Sequence, residues 1–150
     1  MQKSYQHILV PVDDSKQAMQ AFEEAVETAK RNNAQIYLMT AVQEPSTLFY
    51  YAPADDEVWK KVSEKMNKEA KNRFAEMEKQ VDLTGIPPIK EFVTEGDPRQ
   101  VIVHFAKKTG LPVDMIIMGA TGKGSMERLL IGSTTTYVVN HADCNVLVVR

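Results

Sequence analysis

Met115-Ile-Ile-Met-Gly119-Ala-Thr-Gly122-Lys-Gly124-Ser-Met-Glu-Arg-Leu-Leu-Ile-Gly132-Ser133-Thr134 is the stretch on which the fold turns. Its short apolar start, Met115 to Met118, reads as a strand buried on both faces. Three glycines follow within six residues, at positions 119, 122 and 124, then an amphipathic segment and a Gly-Ser-Thr that opens a helix. Glycine lets backbone N–H groups turn toward a ligand, and a helix start has free N–H groups at the positive end of its dipole. Together they make a nest for phosphate.

Working outward, the helix opened by Gly132 runs from about Ser133 to His141, and Asn145-Val-Leu-Val-Val-Arg150 reads as a fifth and last strand. On the other side, Gly96-Asp97-Pro98 turns the chain into a helix with proline in its first turn. Val101, Ile102, Phe105 and Ala106 form its inner face, and Gly110-Leu-Pro ends it. Before it, Ile89 to Glu95 alternates as a third strand after the stop signal Gly85-Ile-Pro-Pro. The longest helix is expected from about Asp55 to Leu83, with the stripe Val58, Val62, Met66, Ala70, Phe74, Met77 and Val81 facing inward. Glu57–Lys61, Glu64–Lys68 and Glu69–Arg73 are i,i+4 pairs on its solvated face. A loop from Glu44 to Asp56 precedes it, rich in turn formers and aromatics. Loops of this length in compact domains usually cover something.

Near the start, Ile8 to Val12 is the first strand and Gln35 to Val42 the second, with Pro11 ending the pairing of the first. Ala18, Phe22, Ala25, Val26 and Ala29 recur at helical spacing between them, in a helix ending near Asn32-Asn33. Asp13-Asp14-Ser15 supplies the turn into that helix, with Asp14 read as its cap. Strand and helix alternate throughout without a hairpin signal, so the sheet is expected to be parallel with right-handed crossovers.

The 150 residues form one domain by length, with 43% hydrophobic and 25% charged residues, ordinary for a globular protein. A net charge of −2 exerts no overall pull toward nucleic acid or an anionic membrane. One cysteine, Cys144, excludes an internal disulfide and suits a reducing compartment. With no signal peptide or membrane-length apolar run in view, a soluble cytoplasmic protein is expected.

In open parallel sheets, ligands sit beyond the carboxyl ends of the strands where the strand order reverses. The ends of strands one and four carry Val12-Asp13 and Gly119, which meet at one crevice if those strands are neighbours. A bare Asp13 carboxylate repels phosphate, so its role would be to hold ribose hydroxyls or adenine, or to act through water on a divalent cation, Mg or Mn. The spacing fits neither a Walker A loop, since Ser125 stands where its lysine belongs, nor a G-x-G-x-x-G fingerprint, since Glu127 replaces the last glycine. What is present is G-x2-G-x9-G-[ST], at Gly119, Gly122, Gly132 and Ser133.

With that pattern the chain resembles the universal stress protein family, in its ATP-binding branch. The likeness spans the chain: Ile8-Leu-Val-Pro-Val-Asp13-Asp-Ser, Glu95-Gly-Asp-Pro98, Gly119 through Ser133, and the ending His141 to Arg150. It implies an open five-stranded parallel sheet of order 3-2-1-4-5 with helices on both faces, Rossmann-like and similar to the adenine nucleotide alpha hydrolases. It also implies that Val12, Asp13 and the backbone of Ala41 hold adenine and ribose. Met118, Gly119, Thr121, Gly122 and Lys123 would surround ribose and phosphates, and Gly132, Ser133 and Thr134 would bind the phosphates. Family members often dimerise through the last strand. Here Asn145 to Arg150, with Val146, Leu147, Val148 and Val149 in series, is the edge expected to pair. Ala120, Thr121 and Glu127 depart from the family's commonest loop, where serine, a basic residue and a more basic stretch are usual.

The other candidates point less far. His7, His104 and His141 are scattered, and His141 with Cys144 gives no metal spacing. His141 is expected to contact the end of its helix, and Cys144 to pack without reactivity. Trp59 and Phe49-Tyr50-Tyr51 would bury against the long helix or a partner subunit, or stack on adenine. The leading expectation is an ATP-binding regulatory module of stress physiology, binding ATP, ADP or AMP. The alternatives are a slow ATPase or nucleotidyl transferase, for which Glu127 is the one carboxylate to nominate, and a nucleotide-free protein-interaction module.

Overall fold

In the computed structural model, which describes residues 4–43, 56–108, 110–122 and 130–150, strands and helices alternate along the chain. They are β1 (His7–Pro11), α1 (Lys16–Asn32), β2 (Gln35–Val42), α2 (Asp56–Lys79), β3 (Lys90–Glu95), α3 (Pro98–Ala106), β4 (Met115–Gly119), α4 (Ser133–His141) and β5 (Asn145–Val149). The sheet has the order β3-β2-β1-β4-β5, and every neighbouring pair is parallel.

The alternation of side chains along each strand divides the core into two layers. Ile8 and Val10, Ile36 and Leu38, and Ile117 point to one face, where they meet Phe22, Ala25 and Val26 of α1 and Phe74 and Met77 of α2. Leu9, Tyr37, Met39, Ile116 and Met118 point to the other, against Ile102, Val103 and Phe105 of α3 and Val138 of α4. β1, β2 and β4 are therefore continuous apolar runs, buried on both faces. β3 and β5, at the edges, are only partly buried.

Helix ends follow local chemistry. Ser15, not Asp14, is the N-cap of α1: its hydroxyl accepts from the Ala18 N–H at 3.1 Å. Asp14 is one residue too early, because Asp13 Oδ1 accepts from the Ser15 N–H at 2.9 Å and that local turn delays the helix. Asn33 closes α1 in the left-handed conformation, φ 52°, which asparagine tolerates. Asp97 caps α3, accepting from the Arg99 N–H at 2.9 Å and pairing with its guanidinium at 2.6 Å. Those hydrogen bonds hold the Asp97 carboxyl below the usual carboxylate range.

The long helix differs from its expected form. α2 stops at Lys79, short of Leu83, and its inner stripe is buried only at Ala70, Phe74 and Met77. Val58, in the first turns, is 41% exposed. The buried positions all fall in the second half of the 24-residue helix, which packs on edge strand β3 and the neighbouring β2, while nearer its start Ser63 Oγ donates to Glu95 of β3 at 3.0 Å. The ion pairs also differ, with Glu69 meeting Lys65 at 3.9 Å rather than Arg73, and Glu76 meeting Lys79 at 2.8 Å. Such exposed pairs contribute little to stability.

Two outcomes follow for α2. Phe74→Ala should cost about 3–5 kcal/mol in urea unfolding, whereas Val58→Ala should change stability by less than about 0.5 kcal/mol. Glu78 has its carboxyl raised above the usual range by burial and by the neighbouring Glu91 carboxylate. The folded state therefore binds that proton more tightly than the unfolded chain, and Glu78 costs stability as pH rises through its raised value. Glu78→Gln should raise the melting temperature at pH 7 and leave it unchanged near pH 4.

Candidate functional site

β1 and β4 are the two strands at which the order reverses. Their paired register spans only Ile8–Met115 and Leu9–Ile116, after which the strands part. On one side Val12 N–H donates to the Met39 carbonyl at 2.8 Å, and Thr40 Oγ1 donates to the Val12 carbonyl at 2.9 Å, drawing the end of β1 toward β2. On the other, the end of β4 is drawn toward β5, where Ala120 N–H donates to the Val149 carbonyl at 2.7 Å. A crevice opens between them at the carboxyl ends of the strands.

Two consecutive peptide groups after β4 are held at both ends. In the first, the Gly119 carbonyl accepts from Thr135 Oγ1 at 2.8 Å while the Ala120 N–H binds Val149. In the second, the Ala120 carbonyl accepts from the Gly132 N–H at 2.7 Å while the Thr121 N–H donates to Gln17 Oε1 at 2.7 Å. These bonds bring the start of the glycine loop against the start of α4, across a gap of about ten residues in sequence. Space is tight: a Cβ on Gly119 would lie 2.9 Å from Gln17 Cβ, and one on Gly122 would lie 2.6 Å from Asp13 Oδ2. At Gly119 the neighbours include the α1 backbone, which cannot give way, so glycine is required there; at Gly122 the neighbour is the end of the Asp13 side chain, which a Cβ would push aside.

The crevice is a cavity of about 520 Å³, within the size range of small-molecule sites. One part of its wall is apolar, from Val12, Ala41, Pro98, Ile102 and Met118. The other is polar, with Asp13, Ser15, Thr121, Ser133 and Thr134 around Gly119, Gly122 and Gly132. Asp13 is the only charged side chain of the described wall. α4 begins at Gly132, which has no side chain to cap it, so among the described residues no side-chain cap occupies the N–H groups of its first turn.

Of the residues singled out in the sequence, Val12, Asp13, Ala41, Met118, Gly119 and Thr121 all line this one cavity, as do Gly122, Gly132, Ser133 and Thr134. Lys123 lies outside the described residues, as do Glu127, Arg128 and the aromatics Phe49, Tyr50 and Tyr51. Gln43, Pro98 and Ile102 were not foreseen as lining, nor was Gln17 as the partner of Thr121. Pro98 and Ile102 had a usable signal, since a helix that starts just after β3 with an i,i+4 apolar pair must turn that face to the sheet's upper end. Gln17 had none, because its partner is 104 residues away.

The remaining sequence candidates stay apart. His141 Nδ1 donates to the Tyr137 carbonyl at 2.8 Å, the helix-end contact expected, and its ring stacks on Tyr137 with centroids 3.9 Å apart. Cys144 packs against the α3–α4 side of the core. Among the described residues, no three metal-ligating side chains come together. No described helix is long and apolar enough to cross a membrane.

Known proteins share this arrangement. A universal stress protein of Methanocaldococcus jannaschii is 34% identical over 146 residues, which cover 97% of this chain and 82% of the relative. The structure of universal stress protein UspA from Lactobacillus plantarum superposes with a TM-score of 0.85 at 38% identity, covering 99% of this chain and all of that one. A universal stress protein solved in complex with cAMP shares the fold at a TM-score of 0.63 and 22% identity, covering 99% of this chain and 98% of the other. The model of the universal stress protein family matches residues 4–150, and the chain belongs to that family.

Proposed function

We propose that this chain is an ATP-binding regulatory protein, and that the cavity between β1 and β4 is its nucleotide site. The observation that carries the proposal is the shape of one wall, apolar toward Pro98 and Ile102 and hydroxyl- and amide-rich toward Ser133 and Thr134. An adenine ring suits the first part and phosphates the second, where the α4 N-terminus supplies N–H donors and a favourable dipole. A relative by fold was solved with cAMP, which makes adenine nucleotides the class to test first.

In this reading Val12 and Ala41 border the base, Met118 and Gly119 the ribose, and Gly132, Ser133 and Thr134 the phosphates. Thr121 and Gly122 contribute at the loop's start, with Lys123 beyond them. Asp13 would meet ribose hydroxyls, or a water on a phosphate-bound Mg or Mn, since its carboxylate sits beside Gly122 in a wall with no described cation. Binding would favour one arrangement of the loop, and a partner would read that arrangement. The same proposal includes a homodimer through Asn145–Arg150. In its favour, β5 is a sheet edge of half-buried apolar residues.

Two measurements test this. With nucleotide stripped, Mg-ATP at about a hundredfold its dissociation constant should add about 2.7 kcal/mol to thermal stability. Gly122→Val, whose branched side chain would collide with Asp13, should lose that gain. No shift with ATP, ADP or AMP would sink the nucleotide reading. For the dimer, light scattering at micromolar concentration should give twice the chain mass, and a monomeric mass would refute it.

A further inference from the structure

The cavity's polar end is built on the two clamped peptide groups between Gly119 and Thr121. Three of their four hydrogen bonds come from elements that follow β4 in the chain: β5 through Val149, the approach to α4 through Gly132, and α4 itself through Thr135. The fourth comes from the other side of the crevice, from Gln17 in the first turn of α1. Gln17 does not line the cavity itself. Its half-buried amide oxygen takes the Thr121 N–H, and no main-chain carbonyl is bonded there in its place.

We propose that Gln17 is a positioning residue for the phosphate-binding end of the site. The peptide group whose N–H it holds is the one whose carbonyl receives the Gly132 N–H. A peptide group is rigid, so fixing its N–H fixes the direction of its carbonyl. That carbonyl in turn sets where Gly132 sits, and Gly132 is the residue from which α4 and its first-turn amides begin. Gln17 therefore governs the anion-binding amides through one peptide plane and one hydrogen bond. It also takes the Thr121 amide out of the set that can meet a phosphate, which leaves that work to the α4 end. Pro98 and Ile102 of the lining belong to α3, and among the described residues no hydrogen bond joins Gln17 to that helix.

The proposal rests on the nucleotide reading above, and its test separates the two. Gln17→Leu keeps an aliphatic side chain out to Cδ and removes the acceptor, whereas Gln17→Glu keeps an acceptor oxygen. ATP affinity of Gln17→Leu should fall about tenfold, the equivalent of one well-placed hydrogen bond, while adenosine affinity by NMR titration stays within twofold. Equal loss for ATP and adenosine, or no loss for either, would overturn the assignment. Hydrogen exchange on the free protein provides a second readout that needs no ligand. The Thr121 amide should be protected in the parent and in Gln17→Glu and should exchange freely in Gln17→Leu. A Thr121 amide unprotected in the parent would overturn the clamp even if Gln17→Leu failed to fold. A parent that binds neither ATP nor adenosine would sink the nucleotide reading and leave the exchange result to decide the clamp.

Discussion

Ala120 has its N–H on the Val149 carbonyl and its own carbonyl on the Gly132 N–H, each at 2.7 Å. Through this one residue the last strand, the end of β4 and the start of α4 are joined. A buried peptide group without partners costs free energy on the scale of a lost hydrogen bond, so such a residue has little freedom to tilt. The crevice depends on that. β1 is pulled toward β2 by Val12 and Thr40, β4 is pulled toward β5 by Ala120, and the space between them is what remains. Ala120 is itself 1% exposed, so its small side chain fits where a larger one would have to displace this joint.

The charge of the site follows from which elements supply it. Strand ends and helix starts contribute neutral groups: carbonyls, amides, hydroxyls and apolar side chains. The one described charge, on Asp13, is negative and sits where the loop passes closest, beside Gly122. Among the described residues, attraction for an anion comes from amides and a helix dipole that are fixed in place by the fold. Preorganised dipoles of this kind lose nothing to reorientation when the ligand arrives.

Much of the fold could be read along the chain because central parallel strands and amphipathic helices leave strong local patterns. The apolar runs at Ile8, Gln35 and Met115 became β1, β2 and β4 within a residue of their expected ends. The glycines at 119 and 122 marked close approaches, though not what approached them. What was not legible is what depends on reach. The stripe of α2 is regular over its full length, yet only Ala70, Phe74 and Met77 of it are buried, and how much of a helix face is covered depends on the elements that pack on it rather than on the helix. The cap of α1 shifted from Asp14 to Ser15 because Asp13 forms its own turn first. The partnership of Gln17 with Thr121 lies between elements brought together only by the completed sheet.

The short seam between β1 and β4 divides the sheet at a point that also divides the sequence. Every strand on one side of it, β1, β2 and β3, precedes Gly96, and both strands on the other side follow it. The helices do not respect that division. α1, from the first half, packs on β4 and β5 as well as on β1 and β2, and α3, from the second, reaches across to β2. The two halves are thus like clasped hands, each holding the other by a helix on an opposite face of the sheet. Cutting the chain at its single crossing, after β3, would leave two pieces whose strands are already adjacent but whose helices each lack part of their seat. Such pieces have every reason to find each other again, and the architecture lends itself to complementation between separately made fragments.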